Sequence, residues 1–200
     1  MTRAVLMLAG GSGSRFEGLR HKLDVDFRGR PLAAHALGVV RSLLDGSVDQ
    51  VYVVTGAATL DPALDWLATA ESVTVDDLGF TIVHNERWFD GQAASLAVGI
   101  DRADADGHDA VIVGLADQPL IGADAWRTVA DADGVIVIAD FDGRRRPPVK
   151  LDRSVWPLLP RTGDDGARSL IRLRPDLVSE VACMGNPIDI DTMEDLRRWS

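Results

Sequence analysis

Cysteine is almost absent. Cys183 stands alone among 200 residues, so no internal disulfide can form. A reducing compartment is then the default, and the expected location is cytoplasmic. No histidine lies near Cys183 in sequence, so the thiol reads as a packed structural group. The four histidines, His21, His35, His84 and His108, show no metal-ligand spacing. His35 is assigned to the exposed side of its helix. No apolar stretch approaches the roughly 20 residues of a membrane span. The run Ala4 to Ala9 after Arg3 enters glycines too early for a secretory signal. Positive charge is also short, with a formal net charge of −10. That sign opposes nucleic acid and anionic membranes as partners. Lysine occurs only at positions 22 and 150. Among so many arginines, a retained lysine hints at a specific task.

What is present is an ordinary globular composition, 46% hydrophobic and 26% charged. The length suits one domain, residues 1–200, and no repeat or linker divides it. Apolar runs at Ala4 to Ala9, Val51 to Val54, Phe80 to Val83, Ala110 to Ala116 and Val135 to Ala139 read as strands. Helical spacing follows Pro31, Asp61-Pro62 and Gly91, and covers Ala123 to Ala132. Asp140 to Lys150 is polar and Arg-rich, with Gly143 and Pro147-Pro148, and reads as a hairpin or loop. Two short helices, Asp152 to Leu159 and Gly166 to Leu173, are expected next. Val178 to Cys183 and Pro187 to Ile190 suggest late strands. Thr192-Met193-Glu194-Asp195 starts a last helix in capping-box fashion. Strands apolar on both faces, alternating with helices, predict an α/β fold: a Rossmann-like three-layer sandwich around a mostly parallel sheet. Ligands in such folds bind beyond the carboxyl ends of the strands. Gly10 to Arg15, Asn85, Asp117 and Asp189 fall at those ends.

The first strand stops at Gly10-Gly11-Ser12-Gly13-Ser14-Arg15. Glycines let backbone N–H groups converge on an anion, and Arg15 and Lys22 add two cations suited to phosphate. A plain strand-to-helix turn, with solvated cations, is the alternative. Two standard phosphate motifs fail. Phe16 occupies the third glycine position of the dinucleotide fingerprint, and Lys22 is followed by Leu23 rather than Ser or Thr. Asp117 before Gln118-Pro119 is either a turn former or a carboxylate ligand. Asp189 and Asp191 are either surface or capping carboxylates, or one of them is a ligand, with Asp189 preferred. Arg144 to Arg146 is a solvated charge run or a clamp for an acceptor phosphate.

Together these segments resemble a known family. Leu8-Ala9-Gly10-Gly11-Ser12-Gly13-Ser14-Arg15-Phe16, then Lys22 and Gly29-Arg30-Pro31-Leu32, is similar to the nucleotide-binding signature of MobA-like NTP transferases. Asn85 to Leu96 resembles that family's N-x-x-W-x-x-G-x-x-x-S-L segment. Asp117-Gln118-Pro119 resembles its metal-binding D-x-P. Gly163 to Arg168 and Asp189 to Leu196 resemble its late motifs. The resemblance runs through nearly the whole chain, nearest to molybdenum cofactor cytidylyltransferase-like proteins of nucleotide-diphospho-sugar transferase type.

It implies a nucleotidyltransferase using Mg²⁺, held by Asp117 and Asp189. Arg15, Lys22 and Asp117 would be the catalytic set. Nucleotide contacts would come from Leu8, Ala9, Gly10, Gly11, Ser12, Gly13, Ser14, Arg15, Lys22, Asn85, Gly91 and Ser95. Arg146, Asp164, Gly166 and Arg168 would face the acceptor, a phosphorylated cofactor precursor such as molybdopterin. A molybdoenzyme would be the protein partner. Cytidylyltransferases of this kind begin L-A-A-G, whereas guanylyltransferases share the L-A-G-G seen here, so the donor is CTP or GTP. The family's G-H-P-V appears as Arg146-Pro147-Pro148-Val149, which leaves the acceptor undecided. Three rivals stand beside this reading: transfer to another small phosphorylated acceptor, an NTP-binding maturation factor without turnover, and a sugar-nucleotide pyrophosphorylase.

Overall fold

A computed structural model describes residues 1–11, 13, 16 and 21–200 of the chain. In order, β1 (Arg3–Ala9) is followed by a small ribbon of β2 (Asp26–Phe27) and β3 (Arg30–Pro31). Then come α1 (Leu32–Arg41), β4 (Gln50–Thr55), α2 (Asp61–Glu71), β5 (Phe80–His84), α3 (Gln92–Ala105) and β6 (Ala110–Leu115). The second half has α4 (Ala123–Asp131), β7 (Ile136–Phe141), β8 (Arg144–Asp152), α5 (Arg168–Leu173), β9 (Val178–Ala182) and α6 (Met193–Trp199). Seven strands form one sheet in the order β5-β4-β1-β6-β8-β7-β9. Only β8 runs against the rest, pairing antiparallel with both β6 and β7.

The strand sequences dictate this layering. Ala4, Leu6 and Leu8 of β1 pack into a core on one face of the sheet. Val5, Met7 and Ala9 pack into a second core on the other face. A strand buried on both faces must be covered by helices on both. α1, α2 and α4 cover one face, while α3 and α5 cover the other. The chain leaves β1 towards β4 on one side and returns to β6 on the other, so β1 and β6 flank the switch point where a crevice opens. No described helix is long and apolar enough to cross a membrane.

One open reading is decided and two local expectations change. Asp140 to Lys150 is a β-hairpin, turning at Asp142-Gly143 between β7 and β8, with Arg144 to Arg146 inside β8. The mostly parallel sheet therefore carries one central antiparallel strand. Pro187 to Ile190 is not a strand. It docks through Ile190 N–H donating to the Asp117 carbonyl at 3.0 Å, with the Ile190 side chain fully buried. His35 is buried rather than exposed: the β2–β3 ribbon covers it. Its Nε2 lies 2.7 Å from the Phe27 carbonyl, and its Nδ1 accepts from Arg30 Nε at 3.0 Å. Burial lowers its pKa, consistent with a neutral ring that donates from Nε2 and accepts at Nδ1.

Candidate functional site

A cavity of about 510 Å³ lies at the carboxyl ends of β1 and β6. Its floor is built from three segments far apart in sequence. Lys22 opens a short 3-10 turn that His21 caps, with His21 Nδ1 accepting from Leu23 N–H at 3.3 Å. The other ring nitrogen of His21 lies 2.9 Å from the Gly11 carbonyl, joining the two ends of the glycine loop. This turn delivers Lys22 inward. Its Nζ donates to Asp117 Oδ2 at 2.6 Å and to Asp191 Oδ1 at 2.7 Å. Burial pulls the ammonium's pKa down, but the two carboxylates outweigh it and hold it above the usual lysine value.

Asp117 follows β6 directly. Ala116 N–H donates to the Leu8 carbonyl at 3.1 Å, so the turn after β6 is fastened to β1. Gln118, almost fully buried, points its amide at the late segment, donating to Asp189 Oδ1 at 2.8 Å and to the Pro187 carbonyl at 3.3 Å. Asp189 is thus held opposite Asp117 without belonging to a strand. Burial raises the Asp189 pKa, and the Asp117 charge adds to the effect. Asp117 Oδ1 is buried and has no hydrogen-bond partner among the described residues. A buried carboxylate oxygen without a partner is costly. A cation would relieve that cost.

The opposite wall is set by close packing. A Cβ at Gly10 would stand 2.6 Å from Ser95 Oγ. Ser95 itself is fixed by Asn85 Nδ2, which donates to its hydroxyl at 3.0 Å. Gly91 precedes α3 with φ of 95°, a left-handed conformation that favours glycine. A Cβ there would lie 2.5 Å from the Gly163 carbonyl. That carbonyl accepts from Ala93 N–H at 2.8 Å, while Gly163 N–H donates to the Asp90 carbonyl at 2.8 Å. Gly91 is what lets the 163–168 loop reach the cavity.

The expected site residues therefore sort as follows. Leu8, Ala9, Gly10, Gly11 and Gly13 line one side of the cavity. Lys22, Asp117 and Asp189 form its base, and Gly91 and Ser95 the far side. Asp164 and Arg168 close it from the second half of the chain. Asn85 does not line it. At 2% exposure it stands behind the wall and positions Ser95. Arg146 and Gly166 line an adjoining chamber instead. Ser12, Ser14 and Arg15 lie outside the described residues.

Trp88, Phe89 and Gln92 also face the cavity and were not singled out as contacts. The sequence offers two aromatics just before a glycine, and the structure leaves Phe89 68% exposed at the cavity edge. Asp191, ranked behind Asp189, is the residue that shares Lys22 with Asp117. Among the described residues no three His, Cys, Asp or Glu side chains gather closely enough to hold a metal alone. The arrangement suits a cation that takes one or two carboxylates and completes its shell with phosphate oxygens and water.

Comparisons with known proteins identify the family and the fold. The MobA-like NTP transferase domain matches residues 5–181. The chain belongs to that family. It is 27% identical over 195 residues to the purine catabolism protein PucB of Bacillus subtilis (strain 168), covering 95% of this chain and 92% of PucB. Rv0371c of Mycobacterium tuberculosis H37Rv superposes with a TM-score of 0.75 at 24% identity, over 99% of this chain and 97% of that one. The same protein in complex with manganese gives 0.74 at 23% identity, over 100% and 98%. The inositol-1-phosphate CTP transferase of T. maritima gives 0.68 at 16% identity, over 98% and 91%. The fold is that of the nucleotide-diphospho-sugar transferases.

Proposed function

We propose that this member of the MobA-like NTP transferase family catalyses Mg²⁺-dependent transfer of a nucleoside monophosphate from CTP or GTP to a small phosphorylated acceptor of molybdopterin type. An acceptor phosphate oxygen attacks the α-phosphorus in line. The bond from that phosphorus to the oxygen bridging to the β-phosphate breaks, and pyrophosphate leaves with the electron pair. The observation that carries this reading is the meeting of Lys22 and Asp117 at 2.6 Å, at the base of a glycine-walled cavity.

Each part of the chain has a task in that reaction. The backbone of Leu8 to Gly11 approaches the nucleotide closely because no side chain intervenes at positions 10 and 11. Lys22 exchanges its carboxylates for phosphate oxygens and acts as a point charge where negative charge develops. Arg15, by its place in the signature, belongs to the triphosphate. Asp117 and Asp189 are the carboxylates that would hold Mg²⁺, and the metal would orient the phosphates and offset charge on the leaving group. Trp88 and Phe89 offer aromatic surface to the base. The likeness to PucB favours a product used by a purine-catabolising system.

The test is pyrophosphate release with each of the four nucleotides, Mg²⁺ and molybdopterin. One donor should release pyrophosphate, and Asp117→Ala should abolish release while leaving the circular dichroism spectrum intact. Tight nucleotide binding with no release from any donor would replace transfer by a delivery role. Full activity in Asp117→Ala would remove that carboxylate from the site.

A further inference from the structure

Lys22 and Asp191 join two segments of chain that meet again away from the cavity. After Lys22 the chain enters the β2–β3 ribbon, whose turn is Arg28-Gly29. After Asp191 it enters α6, which ends at Trp199. Arg28 closes the circuit. Its Nε donates to the Trp199 carbonyl at 2.8 Å, and its Nη2 donates to the same oxygen. At the other end Lys22 Nζ donates to Asp191 Oδ1 at 2.7 Å. Between these two connections stands α6, a strut of 7 residues and about 10 Å.

Both ends of the strut have a physical reason. Carbonyls in the last turn of a helix lack partners within it, and a guanidinium placed there also meets the negative end of the helix dipole. At the start, Thr192 and Asp195 form a capping box, and Asp195 Oδ2 accepts from the Asp191 N–H at 3.3 Å. Asp191 is thereby fastened to α6. Asp189 is fastened to the body of the fold, by Gln118 and by the neighbouring Ile190 N–H on the Asp117 carbonyl. The strut itself is lightly seated: none of its residues is buried, and Leu196 and Trp199 pack against the core only in part. Arg28 is exposed, with φ of 53°, and Gly29 follows at 83°. A two-residue turn with both φ positive favours asparagine, aspartate or glycine. Arginine works against that preference, and what it adds is the reach to Trp199.

We propose that Arg28 is a positioning residue for Lys22. By tying the end of α6 to the β2–β3 ribbon it fixes Asp191, and Asp191 holds the ammonium at the base of the cavity before nucleotide arrives. Arg28 does not line the cavity; it acts through α6. The inference rests on the transfer reading only in treating Lys22 as the group that meets the nucleotide.

The test is magnetic resonance of the full chain carrying isotopically labelled lysine. Only Lys22 and Lys150 contribute side-chain signals, and Lys150→Arg assigns them. Arg28→Asn keeps a residue that tolerates the left-handed turn but is too short to reach Trp199. The Lys22 ammonium signal should shift and its protons should exchange faster with water, while the Lys150 signal stays in place. Asp195→Ala, which cuts the strut at its other end, should move the Lys22 signal in the same direction. In an Asp191→Asn background, Arg28→Asn should add no further shift. A Lys22 signal untouched by Arg28→Asn overturns the proposal. So does an equal shift with and without Asp191→Asn, because the effect then bypasses Asp191. These signals are read without nucleotide, so a chain that releases no pyrophosphate yet shows the coupled shift would sink the transfer reading alone. Pyrophosphate release from a chain whose Lys22 signal ignores Arg28→Asn would sink the positioning role alone.

Discussion

Lys22→Met is the most exacting perturbation of the site. The side chains of Lys22, Asp117 and Asp191 are 11%, 18% and 27% exposed, so their ion pairs are neither dry nor freely solvated. Removing one partner of a buried pair costs about 3–5 kcal/mol, and an exposed pair is worth about 0–1 kcal/mol. An intermediate cost of about 2 kcal/mol follows for stranding the carboxylates while keeping the apolar stem. For a chain of this length that lowers the melting temperature by about 4–8 °C. The same quantity sets the metal response. In the wild type a divalent cation at Asp117 must displace the ammonium, and in the variant it need not. Mn²⁺ without nucleotide should therefore bind Lys22→Met about 30-fold more tightly, since each 1.4 kcal/mol is a factor of ten. Calorimetric melting with and without Mn²⁺, and paramagnetic resonance of free Mn²⁺, read both effects. The variant should melt lower in chelator and recover most of the loss in Mn²⁺. Identical Mn²⁺ affinities in the two proteins would refute the idea that lysine and metal share Asp117.

Three further predictions concern the walls and the fold. Gly10→Ala should weaken CTP and GTP binding and lower stability because its Cβ meets Ser95 Oγ at 2.6 Å; adding Ser95→Ala should restore stability, and additive losses in the double variant would show that the clash is not the cause. Gly91→Ala should cost about 2–3 kcal/mol from its left-handed φ of 95° and its contact with Gly163, and limited proteolysis should then cut at 161–166; an unchanged melting curve would refute this. Tyr52→Phe should reshape the acid limb of stability. The Tyr52 hydroxyl donates to Asp106 Oδ2 at 2.5 Å, and that bond, then Arg102, holds the Asp106 pKa below the usual carboxylate range. A depressed folded-state pKa stabilises above about pH 4 and the benefit is lost as pH falls through the folded value, so the gap in melting temperature between wild type and variant should shrink from pH 7 to pH 3. A gap that stays constant or widens would count against the linkage. His108 Nε2, 3.1 Å from the same hydroxyl, remains in both proteins.

The central fold was legible because burial on both faces of β1, β4 and β6 leaves a continuous apolar run in the sequence. The Gly10-Gly11 stop was legible for a related reason: a strand-to-loop change written in glycine is local. What failed was non-local. Arg144-Arg145-Arg146 reads equally as hairpin or loop, and only the pairing with Ala139 to Phe141 decides for the hairpin, with arginine heads reaching solvent and a chamber mouth. Pro187 to Ile190 has strand-like composition, but the buried Gln118 amide and the Ile190 N–H bond to the Asp117 carbonyl hold it instead of a ladder. His35 is polar at a helical position that periodicity assigns outward; the β2–β3 ribbon supplies its cover. Asn85 shows the same limit at the site. The motif singles it out as a nucleotide contact, but only the packing reveals that it stands behind the cavity wall and holds Ser95.

The charge balance of the site explains why lysine was kept at position 22 in a chain that otherwise uses arginine, save at Lys150. The protein carries ten more negative than positive charges, and Asp117, Asp189 and Asp191 all face the cavity meant for a tetra-anion. Such a pocket repels a bare triphosphate. It becomes attractive only when cations stand between the carboxylates and the phosphates. A metal arriving on the nucleotide supplies one such cation, and the chain supplies another in Lys22. Its ammonium is compact and sits on a flexible stem, so it can serve Asp117 and Asp191 before binding and turn to phosphate afterwards. A guanidinium, locked in a planar fork by two carboxylates, would be slower to let go. Lys22→Arg should for that reason keep the empty protein stable yet bind nucleotide poorly, whereas simple loss of charge should weaken both.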